Sequence, residues 1–307
     1  MSQFGLNWPA QGRSRLIASA VFAGTDNEGK RRPMQLAHRL IAAILLLGAA
    51  APAMADDGVV SVRYDMSVSG FPIGSAKLSA LIRNDNYRVE VTAKVGGLLA
   101  LVSDGRGAAT ANGRISSEYA RATSYSLSSS GNNRTTMVKM AMGGGSIRDL
   151  AIDPVPAPRP DRIPVTAAHR RGVVDPVSAL LMPVSGKGPL LTAEACDRNL
   201  PVFDGAQRYD VTLSYSRMEK VNGGEGGYKG DAVVCKARYT PIAGHRERRE
   251  QTRYMAKNND MEVWLVPIEG TRVLAPFRIA VATPSGRLVI AASRFETSVP
   301  TMSADAN

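Results

Sequence analysis

The stretch VVSVRYDMSVSGFPIGSAKLSALIRNDNYRVEVTAKV, residues 59–95, decides the fold. Val60, Val62, Tyr64, Met66 and Val68 alternate with polar or small residues. Ala76, Leu78, Ala80 and Ile82 do the same, and then Tyr87, Val89, Val91, Ala93 and Val95. A period of two puts successive side chains on opposite faces, so each run reads as a half-buried strand. Gly70-Phe71-Pro72-Ile73-Gly74 and Asn84-Asp85-Asn86 are turn clusters between them. Three strands joined this way form an antiparallel meander.

Downstream the same texture continues. Leu98 to Val102 reads as a short helix or a bend, and strand-like segments follow around Ile115 to Leu127 and Thr135 to Met142. Gly143-Gly144-Gly145 closes the first half. Residues 153–164 hold Pro154, Pro156, Pro158, Pro160 and Pro164, which suits an extended crossover and excludes a central strand. Asp175-Pro176-Val177-Ser178-Ala179-Leu180-Leu181-Met182 predicts a short helix, with Asp175 as N-cap and Pro176 at the first helical position. Strands are expected again over Tyr209 to Tyr215, Val233 to Tyr239, Arg248 to Ala256, Met261 to Pro267, Phe277 to Ala282 and Arg287 to Phe295. The fold class is therefore all-β: a long curved antiparallel sheet closing into a barrel or spiral, with one short helix packed on it. Aromatic residues are 6% of the chain, which leaves Val, Leu, Ile, Ala and Met to fill the core.

Upstream, His38 and Arg39 precede the apolar run Leu40–Ala51, and Ala53-Met54-Ala55 supplies the small residues of a cleavage site. Residues 34–55 read as a secretory signal peptide, too short in its apolar part to span a bilayer, which takes roughly 20 residues. Residues 1–33 fit no such pattern and read as a disordered leader or a mis-assigned start before Met34. The expected arrangement is then a single all-β periplasmic domain over 56–307. The whole chain carries 38 Lys and Arg against 27 Asp and Glu. Cleavage after Ala55 removes six and two of these, leaving a moderately basic mature chain. Its basic residues are scattered, which is the pattern of solubility charge, and peripheral contact with anionic envelope polymers or lipid head groups is compatible with it. Nucleic acid is not an expected partner of an exported chain, and the oligomeric state is not legible.

Cys196 and Cys235 are the two cysteines, both in the mature part, and an even pair in an oxidising compartment reads as one disulfide. A metal site with His169 and His245 would need a ligand spacing that the sequence lacks, and no CxxC occurs. No cofactor or metal is expected. No G-x-S-x-G elbow is present, and the mature chain has two histidines. His245, after a turn and among charged residues, and Asp204 in Phe203-Asp204-Gly205 are the candidates for acid–base chemistry. Their plainer readings are a loop imidazole on a backbone carbonyl and an Asx turn.

The chain resembles the domain-of-unknown-function family 3108 of bacterial envelope proteins. The resemblance rests on Tyr64 with Gly70-Phe71-Pro72-Ile73-Gly74, on Asp175 to Leu181, on Leu200-Pro201-Val202-Phe203-Asp204-Gly205 with Arg208-Tyr209, and on Cys235. Tyr239-Thr240-Pro241-Ile242-Ala243-Gly244-His245 and Val263-Trp264-Leu265-Val266-Pro267 extend it over most of residues 59–296. More distantly, the chain is similar to the β-spiral envelope-integrity proteins of alphaproteobacteria. The resemblance implies periplasmic residence and envelope maintenance, and brings no catalytic residues. Three functions follow in order of expectation. The first is non-enzymatic support of the envelope through protein, peptidoglycan or lipid contacts. The second is a carrier or sensor of an acyl chain or lipoprotein in the concave face of the sheet. The third is a hydrolase. An apolar cavity lined by Val, Leu and Met separates the second from the first.

Overall fold

The computed structural model describes residues 57–97 and 104–300. The expected leader, the signal peptide and the Leu98 to Val102 stretch lie outside them. The meander appears as β1 (Gly58–Val68), β2 (Phe71–Arg83) and β3 (Asn86–Val95). It continues through β4 (Arg106–Ile115), β5 (Ala120–Gly131), β6 (Arg134–Gly143) and β7 (Ser146–Asp153). After the proline-rich crossover come the two-residue β8 (Met182–Pro183), β9 (Arg198–Phe203), β10 (Arg208–Asn222) and β11 (Lys229–Ala243). Helix α1 (Glu250–Lys257), β12 (Met261–Pro267), β13 (Val273–Thr283) and β14 (Gly286–Ser298) complete the chain.

These strands form one antiparallel sheet of 14, in the order β7-β6-β5-β4-β3-β2-β1-β14-β13-β12-β11-β10-β9, with β8 on β13. The ladder is open: β7 and β9 end it and do not pair. Of the two architectures expected, the spiral describes it. Directly opposed residues in an antiparallel pair share a face, so the register traces the inner surface. Val62 opposes Leu78, Leu78 opposes Val91, Val89 opposes Ala111, Ala111 opposes Tyr125 and Tyr125 opposes Met140. In the other direction Met66 opposes Ile290, Ile290 opposes Ile279, and Ile279 opposes Val263. The register thus carries apolar pairs across the sheet from β6 to β12, and the buried residues among them fall into two clusters, one that includes Val62 and Leu78 and one that includes Val263.

In the second half the alternation expected of a half-buried sheet breaks down. Val263, Trp264, Leu265 and Val266 are buried in succession, as are Val273 to Phe277. The pairing explains this. β13 and β14 are joined only from Arg278 onward; beyond that point β14 stays with β1, while β13 stays with β12 and β8. The sheet forks, and Phe277 of one branch meets Phe295 of the other at 5.9 Å between rings. The Tyr64 hydroxyl spans the fork and donates to the Pro276 carbonyl at 2.6 Å, supplying a partner to a β13 carbonyl beyond the end of the β13–β14 ladder.

The two ends of the sheet are held by the segment after the crossover. Val173 N–H donates to the Gly145 carbonyl in the β6–β7 turn; Val174 N–H donates to Pro201 of β9 and its carbonyl accepts from Phe203. The expected helix at Asp175 to Met182 is only a 3-10 turn over Ser178–Leu180. Its continuation is extended because Met182 and Pro183 pair with Leu274 and Val273 of β13. Asp175 caps the turn as expected, its Oδ1 accepting from Val177 N–H at 3.0 Å and Ser178 N–H at 2.9 Å. The regular helix lies instead at Glu250–Lys257, where a strand was expected over Arg248 to Ala256. That stretch alternates weakly, and it packs on β11 as a helix without joining the ladder of the sheet. Three further strands lie outside the sequence expectation: most of β4, all of β7 and all of β9. The glycine triplet that reads as an end is the β6–β7 hairpin turn, with Gly144 and Gly145 at positive φ.

Asp175 is fully buried, and its Oδ2 has no partner. Burial pushes its carboxyl above the usual range, against the opposing pull of its hydrogen bonds. A raised folded-state pKa contributes stability at low pH that is lost as pH rises through it. Asp175→Asn keeps an oxygen for the cap and carries no charge, so its stability relative to the parent protein should increase as pH rises from 4 to 8. Asp175→Ala should cost about 1–3 kcal/mol throughout, by orphaning buried N–H groups. Urea melts of the three proteins across that pH range check both statements.

Candidate functional site

A cavity of about 280 Å³ lies on the inner face of the second half. Pro176, Ala179, Leu180 and Met182 of the Asp175 segment form one side. β9 contributes Leu200 and Val202, and β10 contributes Tyr209, Val211 and Leu213. Ala237 and Tyr239 come from β11, Met261 and Val263 from β12, and Ile279 and Val281 from β13. Met255 of α1 closes another part of the wall. The register makes this grouping unavoidable: Tyr209 opposes Val202, Val211 opposes both Leu200 and Tyr239, and Leu213 opposes Ala237. The volume is near the low end of the roughly 300–1,000 Å³ typical of ligand pockets.

Few polar groups reach the cavity. Glu262 lines it but is committed elsewhere, to Arg217 at 2.6 Å and Arg287 at 3.7 Å. The Tyr209 and Tyr239 rings stand 5.2 Å apart, tilted by 41°. Burial raises the pKa of both phenols, and the Asp204 carboxyl raises them further; Asp175 adds to the effect on Tyr209. Beside this wall, Tyr87 and Ser178 share a hydroxyl–hydroxyl bond of 2.5 Å, and the Asp175 charge also acts on Tyr87 and Tyr125. Asp175, Asp204 and the tyrosines of four strands thus make one electrostatic neighbourhood next to an apolar space.

The candidate residues fall as follows. Asp204 Oδ1 accepts from Ala206 N–H at 2.8 Å and Gln207 N–H at 2.6 Å, which is the Asx-turn arrangement. Gly205 follows at φ +102°, and a side chain there would collide with Val138 of β6. His245 is buried after the positive-φ Gly244, and its carbonyl accepts from Ile163 N–H at 3.0 Å where the crossover meets the end of β11. Arg246 fixes the same junction on Asp161 at 3.0 Å. Desolvation holds the imidazole below its ordinary pKa, with the Ala243 carbonyl and Glu247 acting the other way, and Nδ1 is buried without a partner. No hydrogen bond joins the Asp204 carboxyl to the His245 ring among the described residues. His169 bonds locally within Thr166–His169. No group of three or more His, Cys, Asp or Glu able to hold a metal occurs among the described residues. Sequence reasoning missed the cavity residues Tyr209, Tyr239, Met255 and Ile279 as a group. Their only signal was the unbroken apolar runs of β12 and β13, which mark strands covered on both faces.

Cys196, closing a 3-10 turn at Ala193–Cys196, is disulfide-bonded to Cys235 of β11 with the Cα atoms 5.4 Å apart. Both are fully buried beneath Leu200, Leu213 and Val263, in the second apolar cluster of the molecule. The bond ties the strand that carries Ala237 and Tyr239 to the segment leading into β9.

The sequence pattern of the family described as "Protein of unknown function (DUF3108)" matches residues 63–292, and the chain belongs to that family. None of the curated proteins matches it. Among solved structures, a β-barrel-like protein of domain of unknown function DUF1849 from Brucella abortus is similar at a TM-score of 0.45 and 7% identity. The alignment covers 78% of this chain and 98% of that one. Breaking the disulfide by Cys235→Ser should lower stability by about 2–5 kcal/mol. A guanidinium melt of the variant against the parent, with and without reductant, measures the loss.

Proposed function

We propose that this member of the DUF3108 family is a non-enzymatic binding protein of the bacterial envelope that holds an acyl chain in the cavity beneath the Asp175 segment. The cavity carries the reading: an apolar space of about 280 Å³, walled by Leu, Val, Met and Ile, on the inner face of the sheet. At just under the roughly 300–1,000 Å³ of ligand pockets, its size suits one chain better than two. Each buried CH₂ would contribute roughly 0.8 kcal/mol, so a modest length of chain gives useful affinity. The signal-peptide reading of residues 34–55 supports residence in the periplasm, and the buried disulfide is compatible with an oxidising compartment. Supporting the envelope and carrying a lipid are then one activity, through a lipid contact.

Binding without turnover is supported by the state of the two candidates. The Asp204 carboxyl is occupied in a turn, and among the described residues no hydroxyl or thiol hydrogen-bonds the His245 ring, whose Nδ1 is buried without a partner. His245→Ala and Asp204→Ala should therefore still complement the envelope defect of a deletion strain at normal protein level, and loss of complementation by a folded His245→Ala protein would turn the reading toward a hydrolase. Native mass spectrometry of protein purified from its own periplasm should show a co-purifying acyl lipid. Ala237→Phe and, from the other side of the cavity, Ala179→Phe should each abolish that adduct while leaving a cooperative melt. A bare parent protein that remains fully active would overturn the proposal.

A further inference from the structure

We infer that the ligand of this cavity enters with an uncharged head, its carbonyl hydrogen-bonded by Tyr209 and Tyr239: an acyl ester or amide rather than a free carboxylate or phosphate. This rests on the acyl-chain reading and specifies it. Pockets that take carboxylates or phosphates hold the negative charge with Arg, Lys or a helix N-terminus. Among the described residues, no Lys or Arg lines this cavity.

What stands beside it is acidic. Asp204 and Asp175 both act on the Tyr209 phenol, and Asp204 on that of Tyr239. Glu262 is in the wall itself. Arg208 is engaged with Asp210 at 2.5 Å and with the Tyr209 carbonyl, and Arg217 and Arg287 with Glu262. Arg238 and Arg278, next to Tyr239 and Ile279 in sequence, alternate to the other face of their strands and do not line the cavity. An anionic head placed here would lose its hydration and meet carboxylates in a region of low dielectric, where like charges interact strongly.

Neutral acceptors are served instead. Neither the Tyr209 nor the Tyr239 hydroxyl hydrogen-bonds a described residue, and neither is among the sealed-off buried atoms without a partner. Each is a phenol whose pKa is raised, so each stays protonated and donates. Two donors on tilted rings 5.2 Å apart can share one carbonyl oxygen or serve the two oxygens of an ester.

The test uses the mature protein at pH 8 with 1-monolauroylglycerol and sodium laurate, both below their aggregation limits, displacing a bound apolar fluorophore. The monoacylglycerol should bind at least about ten-fold more tightly. Tyr209→Phe/Tyr239→Phe should weaken the ester toward the affinity of laurate while leaving laurate unchanged, and the single Tyr239→Phe variant should fall between. Laurate binding as tightly as the ester overturns the uncharged-head inference and leaves the acyl cavity standing. An ester preference that survives the double substitution overturns the role of the tyrosines. If neither ligand displaces the fluorophore, the acyl reading fails and takes this inference with it.

Discussion

The Asp175 carboxyl, shut inside the protein with Oδ1 on the Val177 and Ser178 N–H groups, is the interaction on which the rest of the structure turns. An open spiral sheet has two ends and one hollow face, and both must be dealt with. The residues on either side of Asp175 do so. Val173 and Val174 fasten the β6–β7 turn and β9, and Pro176 to Met182 cover the hollow before pairing onto β13. A buried carboxyl is an expensive cap, yet it forces the chain to turn at the one place where both jobs meet.

Closure elsewhere is made from side chains rather than ladder hydrogen bonds. The Tyr119 hydroxyl donates to the Asn199 carbonyl of β9 at 3.0 Å, and Arg198 reaches the carbonyls of Glu118 and Pro183. The Gly205 backbone rests against Val138 with no room for a side chain between them. Such contacts shield the edge strand while leaving the ladder open, and the apolar space beside the Asp175 segment need not be filled by a continuous barrel core. A fold that closes this way keeps an inner face that is neither solvent-washed nor fully packed.

Much of this was legible in the sequence, and the rest was not for physical reasons. Alternation revealed β1 to β3 because their branched and aromatic residues recur every second position on one buried face. β4, with Ala108, Ala109, Ala111 and Gly113, sits in the same sheet but offers small side chains that carry little hydrophobic signal. The helix α1 was misread because Gln251, Thr252 and Arg253 give no decisive period and the helix buries no residue fully. The disulfide followed from the count of cysteines. The cavity did not, because its wall draws one to three residues from each of six strands, with a helix and the Asp175 segment, and only the register brings Val202, Tyr209 and Tyr239 together. Asp175 was legible as a cap but not as a buried charge, since nothing local distinguishes a capping aspartate at the surface from one inside.

The pairing of β1 with β14 sets a timetable. Val62 lies opposite Phe295, so the first strand finds its second neighbour only at the far end of the chain. A polypeptide that emerges N-terminus first can zip β1 through β7 as successive hairpins, each a local and rapid event. It must then hold the free edge of β1 while residues 154–285 follow. Assembly that waits on so distant a contact is slow. During that interval the half-made sheet is a template for any extended segment nearby, its own later strands included.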